Sequence, residues 1–374
     1  MSQHDIHIIA SFSGSGGVER MLVNLINVWC DQGHQVHLVL IKDSSPYLSQ
    51  LPSKNLTLHK LKTSHALLAH KELKQYLLQH RPEFVLVAKD RAGRAVIKAA
   101  EQARKNGFMG RIYLRLGTNL SEAIKNKSKL SGWFRLRPIK KLYPKLDGVI
   151  AISEGVATDT IKNSQIDPAK VTVIKNPVVT PFMLEQSRHR PAHSWLDDPS
   201  IRCLIGVGRM TMQKDFETLL RAFVMLKQSD QFGSLKLLMI GADGGKQSDL
   251  NELANQLGVK DEIEFMGFQS NPYGYMARAD IFALSSLWEG SGNVLTEALA
   301  LGVPCVSTDC PSGPREILQD GKFGPLVPVG DFKALAMAIE QTLKEPLDSE
   351  TLKQAAKPYE ATQSAKAYLE LLSS

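Results

Sequence analysis

Two carboxylates, Glu289 and Glu297, stand eight positions apart in the sequence and are separated by a turn of small, polar residues. That turn consists of Gly290, Ser291, Gly292 and Asn293. The apolar run 281–286 predicts a strand that ends just before Glu289, and the apolar spacing after the turn predicts a helix that begins near Asn293. Because free amides and the helix dipole at a helix N-terminus favour anions, the turn is suited to bind a phosphate.

The two carboxylates add a second chemistry to this segment. Sugar hydroxyls donate hydrogen bonds that a carboxylate accepts well. Glu297, in the first turn of the predicted helix, would accept hydrogen bonds from a ribose, and Glu289 would accept them from a second sugar. The segment therefore suits a nucleotide-sugar. A plainer interpretation stays open, in which Glu289 is solvated and Glu297 is a favourable charge near a helix N-terminus.

A loop with two cations follows the first predicted strand of the second half of the chain. Gly208, Arg209 and Lys214 lie in this loop, after the apolar run 201–207. Two cations in one loop match the charge of a diphosphate, although surface loops carry cations routinely. Together with the Glu289 segment, the loop predicts a site for a nucleoside diphosphate sugar.

Short apolar runs alternate with helical patterns along nearly the whole chain, as expected of parallel sheets covered on both faces. The alternation breaks at 176–200, where four prolines and mixed polar residues predict a linker. We therefore predict an α/β protein of two doubly wound, Rossmann-like domains, residues 1–180 and 190–358, which face each other across a cleft.

These motifs resemble those of the family 4 retaining glycosyltransferases of the GT-B fold. The matching motifs are the acid-x7-acid pair Glu289 and Glu297, the Gly-Arg…Lys element of Gly208, Arg209 and Lys214, and the N-terminal glycine loop 14–19. The run 307–318 resembles bacterial members, including some that extend polysaccharide or lipid-linked oligosaccharide. Residues 359–374 are similar to the family's C-terminal helix, which returns to the first, acceptor-side domain.

The resemblance implies a nucleoside diphosphate sugar as donor, no cofactor, and retention of the anomeric configuration. It implies that Arg209 and Lys214 stabilise the leaving diphosphate, while Glu289 contacts the transferred sugar and Glu297 the ribose. Further donor-binding groups would be the backbone amides of Gly16, Gly17, Asn293, Val294 and Leu295. Phe268 falls where the family's base-contacting loop lies, and a core aromatic is the alternative for it.

The first domain offers several candidates for the acceptor side. Many relatives place a histidine after a strand like 111–116, where this chain has Gly117, Thr118 and Asn119. If the positions align, Thr118 or Asn119 takes the positioning role of that histidine. Lys89, Asp90 and Arg91, after the predicted strand 84–88, are further candidates, and ordinary loop charges are their alternative.

No Asp-x-Asp triplet occurs in the chain, so the usual acidic signature of a catalytic divalent ion is absent. The histidine pairs 4/7, 34/37 and 189/193 resemble ligand spacings only superficially, and we predict no metal. The four cysteines lack zinc or redox spacing and are predicted to be buried thiols.

Positive charge is concentrated in the first half of the chain. Residues 1–180 carry 27 Lys and Arg against 13 Asp and Glu, and the segment 125–145 alone has eight cations and no acid. Its candidate membrane-contacting residues are Lys129, Trp133, Phe134, Arg135, Arg137, Lys140 and Lys141. Aromatic anchors among cations suit an anionic membrane surface, with Pro138 and Pro144 breaking any long helix. A solvated basic face is the alternative, and no motif supports nucleic-acid binding.

We therefore predict a metal-independent glycosyltransferase that moves a hexose or N-acetylhexosamine from a UDP-sugar to a glycan acceptor carried on a membrane lipid, such as a polyprenyl diphosphate. The absence of a leader or an apolar run of about 18 residues predicts a cytoplasmic protein attached peripherally to the inner face of the membrane. Two alternatives stay open: a sugar-nucleotide epimerase, which would need no acceptor, and a non-catalytic nucleotide-sugar-binding membrane adaptor. A nicotinamide enzyme is disfavoured, because Glu19 stands where the dinucleotide motif requires a small residue.

Overall fold

The computed structural model describes residues 3–14, 16–66, 68–125, 129–229 and 232–373, and of residues 123 and 129–135 it describes the backbone alone. The chain forms two compact units, one of residues 1–177 with 361–374 and the other of residues 178–360. Each unit contains one parallel β-sheet with helices packed on it. The predicted fold class, two doubly wound α/β domains, is confirmed.

The first domain is built on a seven-stranded sheet. Its strands are β1 (Asp5–Phe12), β2 (Gln35–Asp43), β3 (Leu56–Lys60), β4 (Phe84–Ala88), β5 (Arg111–Leu116), β6 (Gly148–Ala151) and β7 (Val171–Val173). Its helices before the second domain are α1 (Gly17–Asp31), α2 (His70–His80), α3 (Asp90–Arg104), α4 (Glu122–Lys125), α5 (Lys129–Leu142) and α6 (Glu154–Ser164). The strand order is β3-β2-β1-β4-β5-β6-β7, so the direction of winding reverses between β1 and β4.

Continuous apolar runs form the centre of this sheet. All five side chains of β4 are buried, as expected of a strand covered by helices on both faces. The edge strand β3 has mostly exposed side chains, so it lacks the continuous apolar run from which the sequence predicts a strand.

The second domain has a six-stranded parallel sheet. In chain order its elements are α7 (Pro181–Arg188), α8 (Ser194–Asp197), β8 (Arg202–Val207), α9 (Phe216–Lys227), β9 (Leu235–Ile240), α10 (Gln247–Gln256), β10 (Ile263–Phe265), α11 (Tyr273–Met276), β11 (Ile281–Leu284), α12 (Asn293–Ala300), β12 (Cys305–Thr308), α13 (Pro314–Ile317), β13 (Leu326–Val327), α14 (Phe332–Lys344) and α15 (Ser349–Ala356). The strand order β10-β9-β8-β11-β12-β13 reverses between β8 and β11.

The proline-rich segment 176–200 is not the linker that the sequence predicted. Thr180 caps α7 by accepting a hydrogen bond from the amide of Met183, and Met183 is buried in the core of the second domain. The side chains of Asn271 and Arg278 hold the end of α7 by donating to the carbonyls of Gln186 and Ser187. Three of the four prolines lie outside α7 and α8, and Pro181 occupies the first position of α7. Proline is favoured at that position, so the prolines of this segment are compatible with its two helices.

The last helix, α16 (Ala361–Ser373), packs within the first domain. The indole of Trp29 on α1 donates to the carbonyl of Ala365 at 3.2 Å, and Ser364 donates to the carbonyl of Lys175 at 2.8 Å. Tyr368 is fully buried and meets the Trp29 ring edge-on. The chain therefore completes the core of its first domain with its last residues.

All four cysteines are buried thiols, as predicted. Burial raises the pKa of Cys30 to about 11. Burial also raises the pKa values of Cys203 and Cys310 to about 12. Thiols of this kind contribute to packing, because almost none of the nucleophilic thiolate is present near neutral pH.

Candidate functional site

The two predicted donor-binding loops meet at the switch point of the second sheet. The loop that carries Arg209 and Lys214 follows β8, and the loop that carries Glu289 follows β11. These two strands are neighbours, and the winding reverses between them. Ligands of doubly wound sheets bind at the carboxyl ends of strands at such a point.

Lys214 and Glu289 form a direct ion pair at this position. The Lys214 ammonium donates to Glu289 Oε1 at 2.6 Å, and the hydroxyl of Ser286 donates to the same oxygen at 2.7 Å. The side chain of Lys214 is 17% exposed and that of Glu289 is 9% exposed. Arg209, by contrast, is exposed, and its guanidinium has no hydrogen-bond or ion-pair partner among the described residues. A partly buried ion pair and an exposed guanidinium from the same loop suit a ligand that has both hydroxyls and phosphates.

Two hydrogen bonds to main-chain carbonyls hold these two loops together. The amide of Leu287 donates to the carbonyl of Gln213 at 2.8 Å, and the Gln213 side chain donates to the carbonyl of Trp288 at 2.9 Å. A Cβ at Gly208 would lie 2.9 Å from Lys214 Cε, so glycine at that position leaves room for the lysine stem. The ion pair is therefore positioned by backbone as well as by its own attraction.

The turn after Glu289 opens onto α12, as the sequence predicted. Gly292 is the N-cap of α12 with φ of +87°, a conformation that side-chain-bearing residues rarely adopt, and no side chain caps the helix. Ser291 is buried, and Gly290, Asn293 and Val294 are half-buried. Gly313 packs so closely on Ser291 that a Cβ there would lie 2.0 Å from the Ser291 carbonyl oxygen.

Glu297 departs from its predicted position. It is the fifth residue of α12, so it lies in the second turn rather than the first, and the first turn carries no acid. Glu297 is only 4% exposed, and Glu289 is also buried, so the alternative in which Glu289 is solvated is wrong. Leu295, on the same helix, is fully buried, and its backbone amide donates to the carbonyl of Gly292 at 2.9 Å, so the amide predicted to bind the donor has a partner within the turn.

Phe268 lies beyond β10 and is 53% exposed. The core-aromatic alternative for this residue is therefore wrong. The adjacent Gly267 accepts a hydrogen bond from the amide of Gly241, which follows β9, so Phe268 stands beside the carboxyl edge of the sheet. A ring presented to solvent at this edge is available to stack on a planar ligand group.

The first domain has a large pocket of its own, with a volume of about 780 Å³, at the switch point between β1 and β4. Its lining residues come from the carboxyl ends of the central strands and the loops that follow them: Ser11, Ser13, Val18, Lys42, His65, Ala66, Lys89, Asp90, Arg91, Ala92, Arg94, Arg115, Leu116, Gly117, Thr118 and Leu120. Five of these are Lys or Arg and one is an acid. The pocket is therefore suited to bind an anion.

Arg115 is the most unusual cation of this pocket, because the residue is only 2% exposed. It donates to the side-chain oxygen of Asn176 at 2.7 Å, and no carboxylate among the described residues forms an ion pair with it. Burial lowers the pKa of Arg115, and the neighbouring Tyr368 hydroxyl partly offsets this effect. A Cβ at Gly117 would lie 2.4 Å from Arg115 Nη1, so glycine at 117 makes room for the guanidinium.

The predicted acceptor-side residues of the 89–91 loop divide into paired and unpaired side chains. Lys89 donates to Glu19 at 2.6 Å and to the carbonyl of Ser11 at 2.9 Å. Asp90 pairs with Arg94 at 2.8 Å and accepts from the hydroxyl of Tyr143. Arg91 is exposed and faces the pocket, and its side chain has no partner in the described part of the chain.

Thr118 and Asn119 also have different roles. Thr118 is exposed and lines the pocket. Asn119 is buried, does not line the pocket, and accepts a hydrogen bond from the amide of Glu122 at the start of α4. Of the two, Thr118 is therefore the one placed to contact a ligand.

The glycine loop contributes backbone beside this pocket. Gly16 is the N-cap of α1 and has no side chain to occupy the first amides, and Gly17 begins the helix. Glu19, two residues further on, is 4% exposed and holds Lys89. Sequence reasoning did not select Glu19 or Arg115. The signal for Arg115 was available, since a charge within a strand predicted to be buried needs a special reason.

The basic segment 125–145 is only partly what the sequence predicted. α5 continues through Pro138, so the expected break there is wrong. Three apolar residues of the segment, Ile139, Leu142 and Tyr143, pack in the core of the first domain. Lys140 and Lys141 are exposed, as is Arg137, whereas the side chains of Lys129, Trp133, Phe134 and Arg135 lie outside the described residues. In the described part of the chain, no helix has the length and apolar character to cross a membrane.

Two family models match the chain in succession. Residues 15–181 match Glycosyltransferase Family 4, and residues 192–359 match Glycosyl transferases group 1. The N-acetylgalactosamine-N,N'-diacetylbacillosaminyl-diphospho-undecaprenol 4-alpha-N-acetylgalactosaminyltransferase of Campylobacter jejuni is 29% identical over 95% of this chain and 93% of its own length. The lipopolysaccharide 1,6-galactosyltransferase of Escherichia coli is 31% identical over 49% of this chain and 48% of its own.

Solved structures with the GT-B fold resemble the whole chain. The Anabaena protein HepE in complex with UDP has a TM-score of 0.77 at 20% identity, covering 98% of this chain and 99% of its own. WaaG, a glycosyltransferase involved in lipopolysaccharide biosynthesis, has a TM-score of 0.72 at 17% identity, covering 98% and 99%. At these identities the likeness establishes the fold.

Proposed function

The chain belongs to glycosyltransferase family 4 and has the GT-B fold, and from that premise we propose that it transfers a hexose or N-acetylhexosamine, with retention, from a UDP-sugar to a glycan on a polyprenyl diphosphate carrier. The observation that carries the donor half of this proposal is the Lys214–Glu289 pair at the switch point of the second sheet. The basic pocket of the first domain supports the acceptor half.

The donor-side residues of the second domain match the parts of a nucleotide-sugar. Arg209 and Lys214 supply charge for the diphosphate, and the uncapped N-terminus of α12 supplies backbone amides. Glu289 accepts hydrogen bonds from the transferred sugar, and Glu297 from the ribose. Phe268 stacks on the base. The crystal structure of HepE with UDP supports this choice of nucleotide.

In the proposed reaction, bond cleavage builds negative charge on the leaving diphosphate. The Lys214 ammonium then donates hydrogen bonds to both Glu289 and the phosphate. Its stabilisation of the leaving diphosphate grows as negative charge develops there. The departing phosphate takes the proton of the acceptor hydroxyl, which attacks from the same face, and retention follows. This route requires no divalent ion and no cofactor, because protein cations meet the developing charge.

The first-domain pocket favours a transferase with an anionic acceptor. Lys42, Arg91 and Arg115 have no carboxylate partner among the described residues, so the pocket presents uncompensated positive charge. An epimerase has no second substrate and no use for such a pocket. The Campylobacter relative, whose name specifies a diphospho-undecaprenol acceptor, supports a lipid diphosphate as the source of the anion.

A UDP-release assay tests the proposal directly. The purified chain is incubated with a panel of UDP-sugars, with and without an extract of polyprenyl-diphosphate oligosaccharides, in the presence and absence of EDTA. We expect UDP release from one donor, dependent on the extract and unchanged by EDTA. Tight UDP binding without release under any condition would contradict the transferase proposal, and conversion of the donor sugar without an acceptor would identify an epimerase.

We also propose that the basic segment 125–145 attaches the protein peripherally to the inner face of the cell membrane. The exposed Lys140 and Lys141 point to electrostatic attachment, which salt weakens. In a flotation assay we expect binding to vesicles with anionic lipid, little binding to neutral vesicles, and release by salt. Lys140→Gln with Lys141→Gln should reduce the bound fraction, and Lys260→Gln, an exposed lysine of the second domain, should not. Equal binding to neutral and anionic vesicles would contradict this attachment.

A further inference from the structure

A cluster of imidazoles lies on the first sheet, towards the amino-terminal ends of β1 and β2, whereas the pocket lies at the carboxyl ends of the strands. His7 on β1 pairs laterally with His37 on β2, and their rings stack at 4.5 Å. His59 on β3 contacts His37, with 3.1 Å between His59 Nε2 and His37 Nδ1. Phe12, at the carboxyl end of β1, is five residue steps beyond His7, which is about 17 Å along the strand.

Asp5 brings a carboxylate to the same two rings. Its Oδ1 lies 2.9 Å from His37 Nε2, and its Oδ2 lies 3.4 Å from His7 Nε2. One ligand atom from each of Asp5, His7 and His37 falls within 4.8 Å of the others. Adjacent ligand atoms around a tetrahedral Zn²⁺ lie about 3.3 Å apart, given Zn–N distances of about 2.0–2.1 Å.

The other ring nitrogens already have partners of the kind that metal-binding histidines use. His7 Nδ1 lies 2.7 Å from the hydroxyl of Tyr76 on α2, and His37 Nδ1 faces His59 Nε2. Such outer partners fix the ring orientation and leave Nε2 for the metal. His7 is buried and Asp5 is exposed, so the carboxylate has freedom to turn towards an ion while the ring stays fixed.

We propose that Asp5, His7 and His37 bind a divalent transition-metal ion of the Zn²⁺ class, with water completing the coordination and with Tyr76 and His59 orienting the two imidazoles. Two imidazoles and one carboxylate suit Zn²⁺, and hard oxygen-seeking ions such as Mg²⁺ are poorly matched by nitrogen ligands. The ion joins β1 to β2 and so stabilises the first domain. The sequence alone predicts no metal here, because the spacings within the pairs 4/7 and 34/37 do not reveal that β1 and β2 are neighbours.

The proposal concerns stability and is independent of the transfer reaction. We expect the EDTA-treated, tag-free full chain to bind Zn²⁺ with 1:1 stoichiometry in a calorimetric titration and not to bind Mg²⁺. Zn²⁺ should raise the Tm, since an ion that binds only the folded state stabilises it. The rate of UDP release should not change on removal of the ion.

Three variants test the ligand set. Asp5→Asn and His37→Gln should each weaken Zn²⁺ binding at least tenfold and abolish the rise in Tm, and Tyr76→Phe should weaken binding by about 10–100-fold. His193→Gln is the matched control, because His193 also faces a carboxylate, Glu264, at 3.1 Å but lies in the second domain. Asp5→Asn alters an exposed side chain, so it carries the test if His37→Gln folds poorly. No stoichiometric Zn²⁺ binding by the wild-type chain, or equal binding by wild type and Asp5→Asn, would overturn the proposal and leave a hydrogen-bonded network only.

Discussion

Replacing Lys214 by methionine is expected to lower kcat for sugar transfer by ~10²–10³-fold, which corresponds to about 2.7–4 kcal/mol of transition-state stabilisation. The ammonium lies 2.6 Å from Glu289, and Lys214 belongs to the same loop as Arg209, after the first strand of the second sheet. In the proposed reaction it stabilises charge that exists fully only after the glycosyl–phosphate bond has stretched. The loss should therefore fall on kcat more than on the donor KM.

The single substitution has a second effect, which must be separated from the first. Methionine at 214 leaves the Glu289 carboxylate buried without its cation, at a cost of roughly 1–3 kcal/mol in the free energy of unfolding. The double variant Lys214→Met with Glu289→Gln removes both charges and should recover most of that stability. We expect it to recover no activity.

A structural lysine pair of the same domain provides the control. Lys227 lies 2.6 Å from Glu262, and the two side chains are 12% and 30% exposed. Lys227→Met should lower Tm but leave kcat within about twofold, because this pair lies at the end of α9 and away from the switch point. If the double variant regained both stability and transfer, Lys214 would be a structural residue and not a catalytic one. Rates and Tm values measured on the same preparations decide between these outcomes.

The second domain shows how far spacing alone predicts a site. The eight-position separation of Glu289 and Glu297, with a glycine turn between them, indicated a strand end and a helix start, and α12 begins at Asn293 as predicted. Spacing did not reveal that Lys214 and Glu289 form an ion pair, because their contact depends on β8 and β11 being neighbours. Strand order is a property of the packed sheet, and no local pattern in the sequence encodes it.

In the first domain, the charges that stand out in the sequence are mostly paired within the fold, and the buried cation of the pocket lies inside a strand. The charged loop 89–91 was selected because cations stood out after an apolar strand, yet two of its three side chains are committed to ion pairs within the domain. Arg115 was overlooked because it lies inside a strand, where periodicity analysis treats it as one polar position. A charge inside an apolar strand is the signal for Arg115 in the sequence, and the structure adds its burial, its contact with the Gly117 backbone and its place in the pocket.

Replacing Arg115 by glutamine is expected to raise the KM for a lipid-diphosphate acceptor by ~10–150-fold, since a hydrogen bond to a charged group contributes about 1.5–3 kcal/mol. Arginine stays protonated even where burial lowers its pKa, so Arg115 presents a fixed charge at the pocket wall. The donor KM should not change. Gly117→Ala should have a similar effect without removing any charge, because the added Cβ would lie 2.4 Å from Arg115 Nη1 and displace the guanidinium.

Arg91 permits the same test on an exposed side chain, where folding is not at risk. Arg91→Gln should raise the acceptor KM by a smaller factor, and the increase should shrink as salt screens the exposed charge. Lys105→Gln, an exposed cation at the end of α3, is the control for net charge and should leave both KM values unchanged.

An acceptor without phosphate distinguishes charge recognition from general damage to the pocket. With the same oligosaccharide on a neutral alkyl chain, the wild-type KM should already be high, and Arg115→Gln and Arg91→Gln should add little to it. A large further loss with the neutral acceptor would mean that these arginines contact the glycan or support the fold rather than an anion. Equal KM values for the charged and neutral acceptors with the wild-type enzyme would contradict recognition of an anionic carrier. The role of Lys214 is tested separately, by kcat and Tm, and would be unaffected by that result.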